Sequence, residues 1–326
     1  MQRLMLVLFI ASELCYYLLI AQTGVIEYFS SNIYQIAPLP IGGIIGSILC
    51  VYIKTTNLNK ILGFLSIQLI MSLFYPDFSQ IMLFILGLSV GALAPLLINE
   101  LKKATSIDLG LALALSYTVG TFLFNYEPSE RGFLAIGLTL VAIVSSVFIY
   151  DMKNIDIKHG EFSLSMMVLW VFLDSALFET LSRDLVIPIW RGGFSTEIVL
   201  FHIIGIFVAL RYKMTTKQKE LFIIILFSFS YLFYFIREAY LLSIIYPFVI
   251  SYYNVTILHT ILRKNFKTIS VYMVFIGWIA SGIGLFVALE GIVLFIPVIF
   301  MLVFFKIIIF NTNQNYTIQN KEIQNV

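Results

Sequence analysis

The chain has 326 residues, of which 60% are hydrophobic and only 12% are charged, and its formal net charge is +2. A water-soluble fold of this length has too little interior to hide that share of apolar side chains, so the composition predicts a polytopic membrane protein surrounded by a lipid bilayer. The small net charge gives no reason to expect a nucleic-acid partner.

Polar breaks along the chain divide it into hydrophobic segments of helical length. A helix needs about 20 residues to cross a hydrocarbon core of roughly 30 Å, and fewer where flanking polar groups reach the interface. The breaks predict an all-α protein with twelve transmembrane helices, at Leu4–Ala21, Ile33–Ile53, Ile61–Phe74, Ile81–Asn99, Leu109–Phe124, Gly132–Tyr150, Phe162–Thr180, Ile198–Leu210, Leu221–Ile236, Ala239–Leu262, Ile269–Phe286 and Ile292–Phe310.

The basic residues test this count independently, because cytoplasmic loops carry an excess of Lys and Arg. If both termini are cytoplasmic, the loops after even-numbered helices should be basic, and they hold Lys54, Lys60, Lys102, Lys103, Lys153, Lys158, Lys213, Lys217, Lys219, Lys264 and Lys267. A ten-helix arrangement would place basic clusters on both faces. We therefore expect a protein of the bacterial cytoplasmic (inner) membrane with both termini cytoplasmic, ending in a polar, disordered tail over 311–326.

Two acidic residues, Glu13 and Asp174, lie inside hydrophobic segments at positions that correspond in the two halves of the chain. The same shift of 161 positions aligns the residues one helical turn away, Phe9 with Trp170 and Tyr17 with Phe178. At shifts of 159 to 162, Gly46, Lys54, Lys60, Lys102, Gly120 and Gly132 align with Gly205, Lys213, Lys219, Arg263, Gly282 and Gly291. The pattern predicts two six-helix bundles, 1–152 and 153–310, related by a parallel internal repeat.

This organisation resembles the major facilitator superfamily, of which the chain would be a compact, divergent member. The resemblance rests on the helix count, the cytoplasmic termini, the half-repeat and the basic loops after helices 2 and 8. The family's signature after helix 2 is matched by Gly46 and by the basic ends Lys54 and Lys60, but its Asp and its second Gly are missing. The resemblance implies two bundles that rock around a central site and give alternating access.

The central acids are the first candidates for substrate or proton binding. An ionised carboxylate near the bilayer midplane costs about 2.5 to 3.5 kcal/mol on insertion scales, so it is seldom retained without a partner, a proton or a cation. With Glu13 and Asp174 we group the aromatic residues that flank them, Tyr17, Trp170 and Phe178. The alternative is that both acids are packing residues, each hydrogen-bonded within its own half. His202, in the middle of helix 8, is either a proton relay or a histidine bonded within the bundle.

Charged residues also gather on the side opposite the lysine-rich loops. They are either parts of solvated loops or a salt-bridge gate formed by Glu179, Arg183, Arg191, Arg237 and Glu238. The spacing of His, Cys and carboxylate residues does not fit a metal site, and the sequence has no phosphate-binding loop. We therefore expect neither a metal nor another cofactor.

Small and aromatic residues give two further expectations. Glycines at helical spacing predict close helix packing at Gly42, Gly46, Gly87 and Gly91, and again at Gly277, Gly282 and Gly284. The tyrosines of helices 9 and 10 are expected to lie mostly at the lipid or interfacial surface, and these are Tyr231, Tyr234, Tyr246, Tyr252 and Tyr253.

Together these features favour a secondary active transporter, rather than an enzyme, that moves a small molecule or ion by alternating access, with proton coupling as an option. One alternative is a membrane-embedded enzyme that processes glycans or lipids, and another is a non-transporting receptor or scaffold. The outward loops are short, which disfavours the enzyme. The sequence leaves the substrate, the direction of transport, the coupling ion and the oligomeric state open, and a monomer is compatible with it.

Overall fold

A computed structural model of the protein describes residues 1–29, 33–149, 152–155, 161–184 and 186–303. Within these ranges the regular structure is entirely helical, as predicted. The helices are α1 Gln2–Tyr28, α2 Ile33–Tyr52, α3 Asn57–Ser72, α4 Gln80–Lys103, α5 Ser106–Leu123, α6 Gly132–Phe148, α7 Leu164–Arg183, α8 Ser195–Arg211, α9 Thr216–Phe235, α10 Ala239–Ile261, α11 Phe266–Leu289 and α12 Ile292–Val303. We call α1–α6 the N-terminal helices and α7–α12 the C-terminal helices.

Eight helices in the described part of the chain are long and apolar enough to cross a bilayer, namely α1, α2, α4, α5, α7, α9, α10 and α11. Over the same residues, α6 and α12 are apolar but shorter. The chain is therefore an integral membrane protein, which confirms the prediction from composition. The predicted helix ends at Tyr150 and Phe310, the basic residue Lys158 and the tail over 311–326 lie outside the described residues.

One end of the helix bundle carries the lysine-rich loops with Lys54, Lys102, Lys213 and Lys264, and we call it the basic face. Of the six helices that begin at this face, all but α1 have a polar N-cap whose side chain accepts a backbone N–H bond, and these caps are Thr56, Thr105, Ser163, Thr215 and Asn265. A cap of this kind contributes about 1 kcal/mol. Because the first turns are polar, α3, α5, α9 and α11 begin a few residues before the predicted hydrophobic segments.

The helices α2 and α4 pack closely because glycines let their backbones meet. A Cβ atom added to Gly46 would lie 2.0 Å from the carbonyl oxygen of Leu88, and one added to Gly91 would lie 2.1 Å from that of Gly43. The predicted close packing is confirmed here and at Gly42, Gly87 and Gly284. It is wrong at Gly277 and Gly282, where an added Cβ meets open space; Gly277 lies at the cavity between the two groups of helices rather than in a helix contact.

The packing partners follow a similar scheme in the two groups of helices. Among the N-terminal helices, α1 packs on α5 and α6, α2 on α4, and α3 on α4 and α6. Among the C-terminal helices, α7 packs on α11, α8 on α10, and α9 on α10. The two groups meet where α5 packs on α8 and where α2 and α4 pack on the first part of α11. These contacts leave a cavity between the groups.

Candidate functional site: a cavity between two groups of helices

A cavity of about 300 Å³ is lined by α1, α4 and α5 from the N-terminal helices and by α7, α8, α10 and α11 from the C-terminal helices. Its wall is mostly aliphatic and aromatic. The polar side chains of the wall are Glu13, Tyr17, Gln22, Ser116, Tyr117, Thr121, Asp174, Ser175, His202, Tyr253, Asn254 and Ser281. None of the described lining residues is Lys or Arg.

The first acid, Glu13 on α1, lines the cavity but is only 7% exposed. The side-chain nitrogen of Gln68 on α3 donates to the Glu13 carboxylate over 3.1 Å and to the hydroxyl of Thr139 on α6, also over 3.1 Å. Glu13 is thus hydrogen-bonded within the N-terminal helices. Gln68 was not among the predicted site residues, although an amide within an apolar segment indicates a side chain that needs a polar partner when buried.

The second acid, Asp174 on α7, lines the cavity and is partly exposed. The hydroxyl of Tyr253 donates to Oδ2 over 2.6 Å and that of Tyr246 donates to Oδ1 over 2.8 Å. Both tyrosines lie on α10, so Asp174 is held within the C-terminal helices. Its environment differs from that of Glu13, because two hydroxyls satisfy both of its carboxylate oxygens.

The prediction that the tyrosines of α9 and α10 face lipid is wrong for most of them. Tyr231, Tyr246, Tyr252 and Tyr253 are at most 2% exposed. A buried phenol needs a hydrogen-bond partner, and the structure supplies one to each of them. Besides the two bonds to Asp174, Tyr231 donates to the carbonyl oxygen of Leu173 over 2.7 Å, and Tyr252 donates to a sulfur at 3.5 Å.

A series of hydrogen-bonded and stacked polar side chains connects α5 with α10 and α8 at the cavity wall. The amide of Asn254 donates to the hydroxyl of Tyr117 over 2.9 Å, and the ring of Tyr117 stacks on His202 with centroids 4.1 Å apart. Nδ1 of His202 lies 2.7 Å from the hydroxyl oxygen of Ser251. His202 therefore lines the cavity and is also bonded within the bundle, where it is 3% exposed.

Two π-helical segments, Tyr17–Gln22 in α1 and Val274–Ala280 in α11, face each other across the cavity wall. The hydroxyl of Tyr17 donates to the carbonyl oxygen of Gly277 over 3.4 Å, and its ring packs edge-on against Trp278 with centroids 6.2 Å apart. π-helical turns are rare and occur frequently at functional sites. Tyr17 thus lies where the two groups of helices touch.

The aromatic candidates beside Asp174 have different surroundings. Phe178 lines the cavity and packs against Trp190 and Phe124, with centroids 5.5 Å and 6.4 Å away. Trp170 is fully buried against Phe162, with centroids 5.3 Å apart, and is not among the described residues of the cavity wall. Trp190, in the segment between α7 and α8, also lines the cavity and was not among the predicted site residues.

Charged and polar side chains connect the two groups of helices at the face opposite the basic face, which we call the opposite face. Arg191 forms an ion pair with Glu27 at the end of α1, with N and O atoms 2.7 Å apart. Gln22 donates to Glu179 over 3.3 Å, and Arg183 lies 3.6 Å from the same carboxylate within α7. Three of the five gate candidates are therefore paired.

The other two gate candidates, Arg237 and Glu238, form the turn between α9 and α10. Both are exposed, and neither has an ion pair within the residues that the structure describes. Arg237 adopts a left-handed backbone conformation, with φ of 61°. These positions have the features of a solvated turn.

Arg131, between α5 and α6, is completely buried at the opposite face. Its guanidinium donates to the carbonyl oxygens of Leu19, Phe124 and Tyr126 and to the hydroxyl of Thr23, over 2.9 to 3.1 Å. Burial lowers the pKa of this guanidinium from its ordinary value, and the nearby Glu27 acts against that shift. Arg131 joins the end of α1 to the α5–α6 connection.

At the basic face, the contacts between the groups are made largely by packed helices. Ser47 on α2 accepts a hydrogen bond from Nε1 of Trp278 over 3.2 Å, and its carbonyl oxygen accepts one from Ser270. The Lys60 ammonium lies 5.4 Å from the ring centroid of Phe266, and Lys102 donates to the carbonyl oxygen of Lys264 over 2.8 Å. These contacts join α2, α3 and α4 to α11 and to the segment before it.

Within the described residues, no three His, Cys, Asp or Glu side chains gather as a metal site would require. The comparisons with family models and with curated proteins give no match. Among solved structures, a Major Facilitator Superfamily transporter, FucP, in the outward conformation is similar with a TM-score of 0.59 and 13% sequence identity. The match covers 87% of this chain and 89% of that chain. The chain therefore has the fold of that transporter, which confirms the predicted resemblance at the level of fold.

Proposed function

We propose that this protein is a secondary active transporter that moves a small solute across the membrane by alternating access. The observation that carries the proposal is the cavity of about 300 Å³ between two groups of helices that touch each other on both sides of it. The fold shared with a transporter supports it. We found no feature of the described residues that favours an enzyme or a scaffold instead.

We infer further that the chain crosses the membrane twelve times as two bundles, 1–152 and 153–310, followed by the tail. The matched packing partners α1–α5 and α7–α11, α2–α4 and α8–α10, and α3–α4 and α9–α10 support a parallel repeat. So do Gly46 and Gly205, since an added Cβ would lie 2.0 Å and 2.5 Å from carbonyl oxygens of α4 and α10. Two bundles related in this way are the usual basis for rocking around a central site.

The proposed orientation has both termini and the basic face in the cytoplasm of a cell with this protein in its inner membrane. The support is the positive-inside rule applied to the lysine-rich loops. A membrane-impermeant maleimide added to intact cells should label a cysteine placed at Ser129 but not one placed at Thr216. Labelling at both positions would contradict the twelve-helix topology.

Alternating access predicts that the two faces open in turn. Spin labels at Thr55 and Lys213 report on the basic face, and labels at Ser129 and Thr196 report on the opposite face, after Cys15 and Cys50 have been replaced. In lipid nanodiscs, distances measured by pulsed electron spin resonance should have two populations that change in opposite senses at the two faces. A single unchanging distance at both faces, across pH and candidate solutes, would contradict transport by this route.

In the proposed mechanism, Glu13 and Asp174 bind the substrate or a coupled proton, and Tyr17, Phe178 and His202 complete the site. The position of both acids on the cavity wall supports this assignment, whereas their bonds within separate groups are also compatible with packing roles. Glu13→Gln and Asp174→Asn keep the shape but remove the titration. Once a substrate is known, unchanged transport rate and pH dependence in both variants at normal expression would assign the acids a structural role.

We also propose that Glu179, Arg183 and Arg191 contribute to a gate at the opposite face. Arg191 pairs with Glu27 between the two groups of helices, and Glu179 accepts a hydrogen bond from Gln22 of the other group. These contacts must break when the groups separate at this face. Among the residues that the structure describes, Arg237, Glu238 and Trp170 make no contact that supports a role in the gate or in the site.

A further inference from the structure

The charge pattern of the cavity wall selects one class of ligand. Glu13 and Asp174 are the acidic residues of the wall, and its described residues include no Lys or Arg. We propose that the cavity binds an organic cation with an apolar or aromatic body, and that Asp174 is the carboxylate that contacts the cationic group. The inference rests on the proposed transport function and names the substrate class of the same site.

Asp174 suits this role better than Glu13 for a geometric reason. Asp174 is partly exposed and both of its carboxylate oxygens accept hydroxyl donors, from Tyr246 and Tyr253. Hydroxyl donors stabilise a carboxylate without neutralising it, so a cation can still gain from its charge in a medium of low dielectric constant. Glu13 is 7% exposed and its carboxylate is held by the buried amide of Gln68.

Aromatic rings form part of the cavity wall near Asp174. Phe178 and Trp190 line the cavity with centroids 5.5 Å apart, and Trp190 lies 6.3 Å from Tyr246, which donates to Asp174. Ring faces attract cations, and the apolar body of a ligand gains free energy when it leaves water for such a wall. A carboxylate next to an aromatic wall therefore matches a cation that is itself partly apolar.

The arginines nearest to this wall do not oppose a bound cation from within the cavity. Arg131 and Arg191 lie 5.0 Å and 5.4 Å from the ring centroid of Phe124, which lines the cavity, but neither arginine is itself a lining residue. Arg191 is paired with Glu27.

The size of the cavity limits the ligand. About 300 Å³ is the lower end of the usual range for small-molecule sites. A cation with a single aromatic ring is therefore a better probe than a large polycyclic dye. Benzyltrimethylammonium combines one ring with a permanent positive charge, and phenylmethanesulfonate presents the same benzyl group next to a negative charge.

Isothermal titration calorimetry with purified protein in nanodiscs tests the proposal. We expect saturable binding of benzyltrimethylammonium and none of phenylmethanesulfonate. Asp174→Asn should weaken cation binding by at least about tenfold, because it removes a charge from a desolvated pair, and Glu13→Gln should weaken it much less. Glu130→Gln, at an exposed position outside the cavity, is the matched control and should bind like the unmodified protein.

Several results would overturn the proposal. They are the absence of saturable cation binding, equal binding of the anion, or a folded Asp174→Asn variant with unchanged cation affinity. If Asp174→Asn does not fold, Phe178→Leu replaces it, and unchanged cation affinity in that variant counts against the aromatic wall. The comparison of cation binding with anion binding uses only the unmodified protein, so it does not depend on whether any variant folds.

The spin-label distances separate this inference from the transport proposal. Two access states without cation binding would refute the substrate class and leave transport standing. Cation binding to a protein with a single fixed conformation would support the site and refute transport. Both measurements use the full chain in the same nanodiscs.

Discussion

The two groups of helices are joined by different kinds of contact at the two ends of the cavity. Towards the basic face, helices of the two groups pack directly, with α2 and α4 against α11 and α5 against α8. An added Cβ at Gly43 would lie 2.2 Å from the ring of Trp278, so the backbone of α2 lies directly against this ring of α11. At the opposite face, the contacts between the groups described above come from side chains, such as Arg191 with Glu27 and Gln22 with Glu179.

This difference indicates which end opens more easily. Packed helices lose many contacts of about 0.1 to 0.2 kcal/mol each when they separate. A partly exposed ion pair is worth only about 0 to 1 kcal/mol, and the side chain of Arg191 is 36% exposed. We therefore expect the opposite face to open at a lower free-energy cost than the basic face. The three predictions below test this expectation, beginning with the largest effect.

The largest effect is expected for Gly43→Ala. The new methyl group overlaps the Trp278 ring, and overpacking of this kind costs about 1 to 3 kcal/mol. The variant should unfold at a lower temperature in detergent, and its Thr55–Lys213 distances should shift towards an open basic face. Gly63→Ala is the matched control, because a Cβ there meets open space and should stabilise α3 slightly. Equal effects of the two variants would mean that the α2–α11 contact is not tight.

An intermediate effect is expected for Ser47→Ala. The change removes the hydrogen-bond acceptor of Trp278 Nε1 and also the donor that the carbonyl oxygens of Gly43 and Gly91 share. Hydrogen bonds between membrane helices are worth about 0.6 kcal/mol on average, with a maximum near 1.7. The basic face should open more often, as measured by the same pair of spin labels, with little change at the opposite face. Ser66→Ala, which removes a bond that an exposed serine makes within α3, is the control and should leave both distances unchanged.

The smallest effect is expected for Arg191→Gln. Loss of the ion pair with Glu27 should move the Ser129–Thr196 distance distribution towards the open state by about 0 to 1 kcal/mol, without a change in thermal stability. High salt should reduce the difference, because it screens exposed charges. Arg237→Gln, at an exposed position without an ion pair in the described structure, should have no effect. A larger shift for Arg237→Gln than for Arg191→Gln would contradict the assignment of the gate.

Within the candidate site, the sequence predicted some residues of the cavity wall but not the partners of their side chains. Glu13 and Asp174 were predicted from the sequence to line the cavity, because an acidic residue within an apolar segment is rare and energetically costly whichever side of the helix it occupies. Their partners Gln68, Tyr246 and Tyr253 were not assigned. Trp170 and Phe178 are one helical turn to either side of Asp174, yet only Phe178 lines the cavity. The position of a residue along a helix predicts its approximate depth in the membrane. It does not predict which residues of other helices its side chain contacts.

The sequence by itself determined the membrane class, the all-helical fold and the glycine positions at which α2 and α4 pack closely, although not that these two helices are each other's partners. These properties follow from quantities that add up along the chain, such as the transfer free energy of apolar residues, or from a local feature such as a missing Cβ atom. Only the tertiary structure decided which side of each helix faces the cavity. A helix that is apolar all round has no polar face to orient it, so the directions of Tyr246, Tyr253 and Trp190, and the burial of Arg131, depend on packing between distant segments.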